Sequence, residues 1–123
     1  MANKLANIVG SGYPGQAANY ISGTAADSLT ATGSTQGTAL LLAADVNVVT
    51  TTAASTGVIL AAGASPGDET VVKNLGANAL SIYPATGESI DAIAVNGAYS
   101  LATTKSVILI KTSATRWVSV LSA

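Results

Sequence analysis

The chain has 123 residues, enough for one domain with at most an added arm. Only 9% of it is Asp, Glu, Lys or Arg, and the formal net charge is −1, so no basic field exists to steer nucleic acid or an anionic membrane. His and Cys are missing, and with them the commonest agents of acid–base, thiol and disulfide chemistry, so an enzyme is not expected.

The core material is thin. There is no Phe, one Trp and four Tyr; the apolar content is mostly Ala, Val, Leu and Ile. Small side chains bury little area each, so a lone domain of this composition is expected to be marginal and to gain burial by associating with copies of itself. A neutral surface of Thr, Ser, Asn, Gly and Ala is expected to serve in part as contact surface.

Taken in chain order, residues 1–33 read as an extended docking arm. Gly10-Ser11-Gly12-Tyr13-Pro14-Gly15 and Gly23-Thr24-Ala25-Ala26-Asp27-Ser28 are flexible stretches, and the isolated apolar residues Ile8, Val9, Tyr13, Tyr20 and Ile21 are the candidate anchors. The Gly cluster matches G-x-G-x-x-G only in letters. It lacks the preceding strand, the following amphipathic helix and the acid about twenty positions on that dinucleotide binding needs.

From residue 34 the character changes. Short apolar, β-branched runs alternate with turn clusters, predicting strands over 38–43, 46–51, 57–60, 69–74, 80–83, 98–101, 106–111 and 116–121. Ser65-Pro66-Gly67-Asp68 is a turn by mechanism, with Pro presetting φ and Gly tolerating positive φ. Asn74-Leu75-Gly76-Ala77-Asn78 and Thr112-Ser113-Ala114-Thr115 read as hairpin loops, and 84–96 as a long surface excursion. The run Val107-Ile108-Leu109-Ile110 is expected to be covered on both faces, one by the core and one by a partner. About eight short strands in residues 34–123 predict an all-β domain, a compact β-sandwich or jelly-roll-like barrel carrying the extended N-terminal arm. The apolar stretch 39–64 holds Asp45, Asn47 and Thr50-Thr51-Thr52, which argues against a membrane span.

The acids Glu88 and Asp91 in the long loop, and Asp68-Glu69 at a turn, read as solvated loop acids, with no metal, cofactor or catalytic pair expected. Trp117 reads as a core anchor. Tyr83 and Tyr99 flank the loop, and with Glu88 and Asp91 they form the candidate surface-binding rim.

The runs Gly37-Thr38-Ala39-Leu40-Leu41-Leu42-Ala43-Ala44-Asp45-Val46-Asn47-Val48-Val49-Thr50 and Pro66-Gly67-Asp68-Glu69-Thr70-Val71-Val72-Lys73-Asn74-Leu75-Gly76-Ala77-Asn78-Ala79-Leu80-Ser81-Ile82-Tyr83-Pro84 resemble a family of short structural proteins of tailed phages and prophages. Leu101-Ala102-Thr103-Thr104-Lys105-Ser106-Val107 and Arg116-Trp117-Val118-Ser119-Val120 carry the resemblance further. It implies a capsid decoration (cement) protein on the outer surface of a virion, bridging subunits of the major capsid protein as a homo-oligomer, with a trimer favoured by analogy. The alternative it implies is a fibre or receptor-binding head that contacts a host-surface glycan.

Overall fold

A computed structural model describes Gly12 and residues 23–123. The anchors Ile8, Val9, Tyr13, Tyr20 and Ile21 lie outside the described residues. In chain order the strands are β1 (Ala25–Thr30), β2 (Leu40–Leu41), β3 (Val46–Thr51), β4 (Gly57–Ile59), β5 (Glu69–Asn74), β6 (Leu80–Tyr83), β7 (Ser89–Ile90), β8 (Tyr99–Leu101), β9 (Ser106–Lys111) and β10 (Arg116–Leu121). One 3-10 turn, Gln36–Thr38, precedes β2. The protein is all-β.

The strands form a six-stranded sheet, β1-β3-β5-β9-β10-β7, and a four-stranded sheet, β2-β4-β6-β8. The chain alternates between them. Ala25, Val46 and Val71 stand side by side in parallel strands of the first sheet, and Leu40, Val58 and Ile82 do the same in the second. Each passage through both sheets is therefore one coil, stacked on the coil before it. This is a β-solenoid of stacked coils, and it replaces the expected sandwich or jelly roll. Apart from an isolated antiparallel bridge between Thr32 and Gly57, antiparallel pairing among the described strands enters at the C-terminal end. There β8 returns beside β6, and the β9–β10 hairpin closes onto β5.

The turn chemistry explains the correction. Asn74-Leu75-Gly76-Ala77-Asn78 turns a corner from β5 to β6, from one sheet to the other, and is not a hairpin. Asn74 is fully buried; its Nδ2 donates to Asn78 O (2.9 Å) and Leu101 O (3.0 Å), and its Oδ1 accepts from Gly76 N (2.9 Å). The corner is bolted to the coil below. Thr52 Oγ1 donates to Asn78 O at 2.8 Å, and Asn78 Nδ2 donates to Thr52 O at 2.8 Å. These side chains replace the backbone ladder where the chain leaves the sheet, so no buried polar group there goes unpaired. The turn at Ser65-Pro66-Gly67-Asp68 forms as expected, with Asp68 N donating to Ser65 O at 3.0 Å and Gly67 at φ +99°, but it too joins the two sheets. Thr112-Ser113-Ala114-Thr115 does close a hairpin.

The core lies between the sheets. Val49, Val72, Val107, Leu109 and Trp117 enter it from the six-stranded sheet, and Val58, Leu80, Ile82 and Leu101 from the other. Strand alternation sorts these residues from their outward neighbours. The arm boundary at residue 33 is also corrected. Ala25–Thr30 is a strand paired with β3, and Ala31 is buried in the core, so the β-domain begins before residue 34.

Candidate functional site

The residues of the expected rim do not share one surface. Tyr99 stands opposite the fully buried Ile82 in the β6–β8 ladder, so both side chains lie on the inner face, and Tyr99 packs against the core. Tyr83, one residue further along β6, points to the opposite face, and its hydroxyl donates to Ser34 O at 3.1 Å.

Glu88 and Asp91 are brought together, but towards β10. The segment between β6 and β8 runs as a strap across the end of the six-stranded sheet, where β7 pairs in parallel with Arg116 and Trp117. Glu88 enters the interior just before β7. Its Oε1 accepts from Trp117 Nε1 at 2.8 Å, and its Oε2 pairs with Lys111 Nζ at 2.7 Å. Lys111 is 1% exposed, and its ammonium lies 5.2 Å from the centroid of the Trp117 ring. Asp91 follows β7 with φ +52°; its Oδ1 accepts from Ser119 N at 2.9 Å and its Oδ2 from Ser119 Oγ at 2.5 Å. Asn96 ties the far side of the strap, its Oδ1 accepting from Gly87 N at 2.7 Å and from Gln36 Nε2 at 3.1 Å. Both acids therefore hold the strap to the sheet rather than face solvent as loop acids.

Lys111 is the residue that sequence reasoning missed. The signal was present: in Val107-Ile108-Leu109-Ile110-Lys111, alternation puts Lys111 on the inward face with Val107 and Leu109. Trp117 is a core residue as expected, and its indole N–H is also a donor to Glu88.

A cleft of about 310 Å³ opens beside the corners that lead into β3 and β5, walled by Ala43, Ala44, Ala61 and Ala62 and edged by Asp45, Asp68 and Glu69. Two of these carboxylates are already used by turns. Asp45 Oδ2 accepts from Thr24 N (2.9 Å) and Thr24 Oγ1 (3.2 Å), and Asp68 Oδ2 accepts from Ser65 N (2.8 Å). Among the described residues no group of three Asp, Glu, His or Cys is arranged to hold a metal ion.

The remaining feature is the outer face of the six-stranded sheet. Val46, Val71, Ile108 and Val120 are register partners across β3, β5, β9 and β10, each on the face away from the core. Ile110 and Val118 extend this band by one pair. Val107 and Leu109 are fully buried, whereas Ile108 and Ile110 are only half-buried. No described element lies over this face. No family model, curated protein or solved structure matches the chain.

Proposed function

We propose that the protein is a structural component of a phage particle. It decorates the outside of the capsid as a homo-oligomer and stabilises the shell by bridging major capsid protein subunits. It acts by contact, not by catalysis. The observation that carries this reading is the outward aliphatic row Val46–Val71–Ile108–Val120 on a chain with only 9% charged residues. An apolar face of this kind is contact surface, and many weak contacts repeated over a shell add by multivalency. The stacked coils supply a stiff platform that presents the face without reorganisation, which lowers the cost of each contact.

The test is co-sedimentation of the purified protein with empty capsids of its own phage, followed by heating of the decorated and bare shells. Saturable binding with a raised disruption temperature is expected. A protein that stays in the supernatant at every concentration sinks the reading.

A second reading, a fibre head that contacts a host-surface glycan, draws on the cleft beside Asp45 and Glu69, where carboxylates could accept hydrogen bonds from sugar hydroxyls. Glycan-array binding abolished by Glu69→Gln would favour it over decoration.

A further inference from the structure

We propose that the outer face of the six-stranded sheet is a self-association interface, and that its occupant is the same face of a second copy packed about a two-fold axis. This rests on the self-assembly part of the function proposed above and adds the surface, the partner and the symmetry.

The inner face of this sheet is closed by the four-stranded sheet, and the outer face carries no described element. Its centre is the row Val46–Val71–Ile108–Val120, which crosses four strands, roughly 14 Å at the usual strand spacing. Val46 is 40% and Val120 53% exposed, so the row is open to solvent at both ends. Outward aliphatic side chains on a sheet are what a second sheet covers when two pack face to face.

Charge selects both partner and orientation. On β5 the outward residues are Glu69, Val71 and Lys73 in succession. An acid and a base thus stand one on each side of the central row, two residues from Val71. Place a two-fold axis in the interface plane, along the row and across the strands. β5 then lies on β5 of the second copy with reversed direction. Val71 meets Val71, Glu69 meets Lys73 of the second copy, and Lys73 meets Glu69. An axis along β5 itself would instead set Glu69 on Glu69 and Lys73 on Lys73. Like charges facing each other suppress that arrangement. The face is thus complementary to itself in one orientation, the condition for an isologous interface. Lys73 Nζ already donates to Thr104 O at 2.6 Å, which holds the ammonium at the rim of the face and leaves two further N–H donors. The symmetry is two-fold, in place of the trimer that analogy suggested.

The experiment is sedimentation equilibrium on the whole chain and four variants, with circular dichroism as a fold control. The wild type should form an even-numbered oligomer in the micromolar range. Val120→Glu places a charge at an already exposed position, so the monomer should still fold, while association weakens by at least about 100-fold. Glu69→Lys and Lys73→Glu should each weaken it, because each sets like charges together in both symmetric contacts. The double variant Glu69→Lys/Lys73→Glu should recover most of the wild-type association, since the exchanged charges still meet opposite partners. A wild type that stays monomeric overturns the proposal, as do a trimer and an oligomer indifferent to Val120→Glu. So does a double variant no better than the singles. Each of these failures leaves capsid co-sedimentation, which tests the broader function, as a separate measurement.

Discussion

Lys111 Nζ and Glu88 Oε2 stand 2.7 Å apart inside the protein, an ammonium 1% exposed and a carboxylate whose second oxygen accepts from Trp117. The pair joins β9 to the strap that crosses the sheet end. A buried ion pair is weak evidence of net stability, because both charges lose water, but removing one partner strands the other. Glu88→Ala is therefore expected to destabilise by about 3 kcal/mol, leaving Lys111 unpaired among apolar neighbours. The double variant Glu88→Leu/Lys111→Met should recover most of that loss. Urea unfolding midpoints decide the point: equal midpoints for the wild type and Glu88→Ala would contradict the assignment.

The strap has a second fastening at Asp91, which takes both the amide and the hydroxyl of Ser119. Asp91→Ala should cost roughly 1–3 kcal/mol by leaving the Ser119 amide unpaired. It should also speed hydrogen exchange at Ser119 more than at Leu109. Asp91→Asn can still accept at Oδ1 and donate at Nδ2, and Asn tolerates the positive φ, so it should stay close to wild type. Equal protection of Ser119 in Asp91→Ala and wild type would mean the carboxylate does not hold the strap.

Glycine is demanded for different reasons at two corners. A Cβ on Gly76 would meet Thr52, including its backbone N at 2.7 Å, because successive coils touch there. A Cβ on Gly67 would meet nothing within 4 Å, and only its φ of +99° resists substitution. Gly76→Ala should therefore cost more than Gly67→Ala, about 3 against about 1 kcal/mol, since overpacking against the neighbouring coil acts at Gly76 and only backbone strain acts at Gly67. Thermal unfolding of the two variants side by side tests the order; the reverse order would remove the coil-to-coil contact as the cause.

Two truncations separate the part played by β1 from that of the residues before it. Deleting residues 2–22 leaves every described strand in place, so the melting temperature should change little. Deleting residues 2–32 removes β1 and the buried Ala31, and bares the edge of β3. An unpaired parallel strand edge invites aggregation, so this longer deletion should melt lower and precipitate on heating. If the longer deletion is as stable as the shorter, β1 contributes nothing to the fold.

Much of the local structure was legible in the residues. The spans 46–51, 69–74, 80–83, 106–111 and 116–121 are strands as alternation and β-branching predict, because those preferences act between near neighbours. The partnerships were not legible. β1 is Ala-Ala-Asp-Ser-Leu-Thr, with too little pattern to announce a strand, and it forms because β3 offers it a parallel edge. β7 is two residues long and exists through its pairing with β10. The coil repeat is faint in the residues: Val46-Asn47 lies beside Val71-Val72 and Val48-Val49 beside Lys73-Asn74, so little but Val46 and Val71 agrees from one coil to the next. Glu88 read as a loop acid because its partners Lys111 and Trp117 are distant in sequence.

The sequence by itself determined that the protein is all-β, where most strands and turns fall, and that Trp117 is a core residue. Each of these follows from steric and solvation preferences acting within a few residues. Only the tertiary structure decided that the chain winds as stacked coils, that Glu88 and Lys111 are locked together inside, and that one sheet face carries an aliphatic row with no described element over it. Those outcomes depend on which strand lies beside which. Turns such as Asn74–Asn78 serve a hairpin and a corner equally well until contacts between distant residues choose between them.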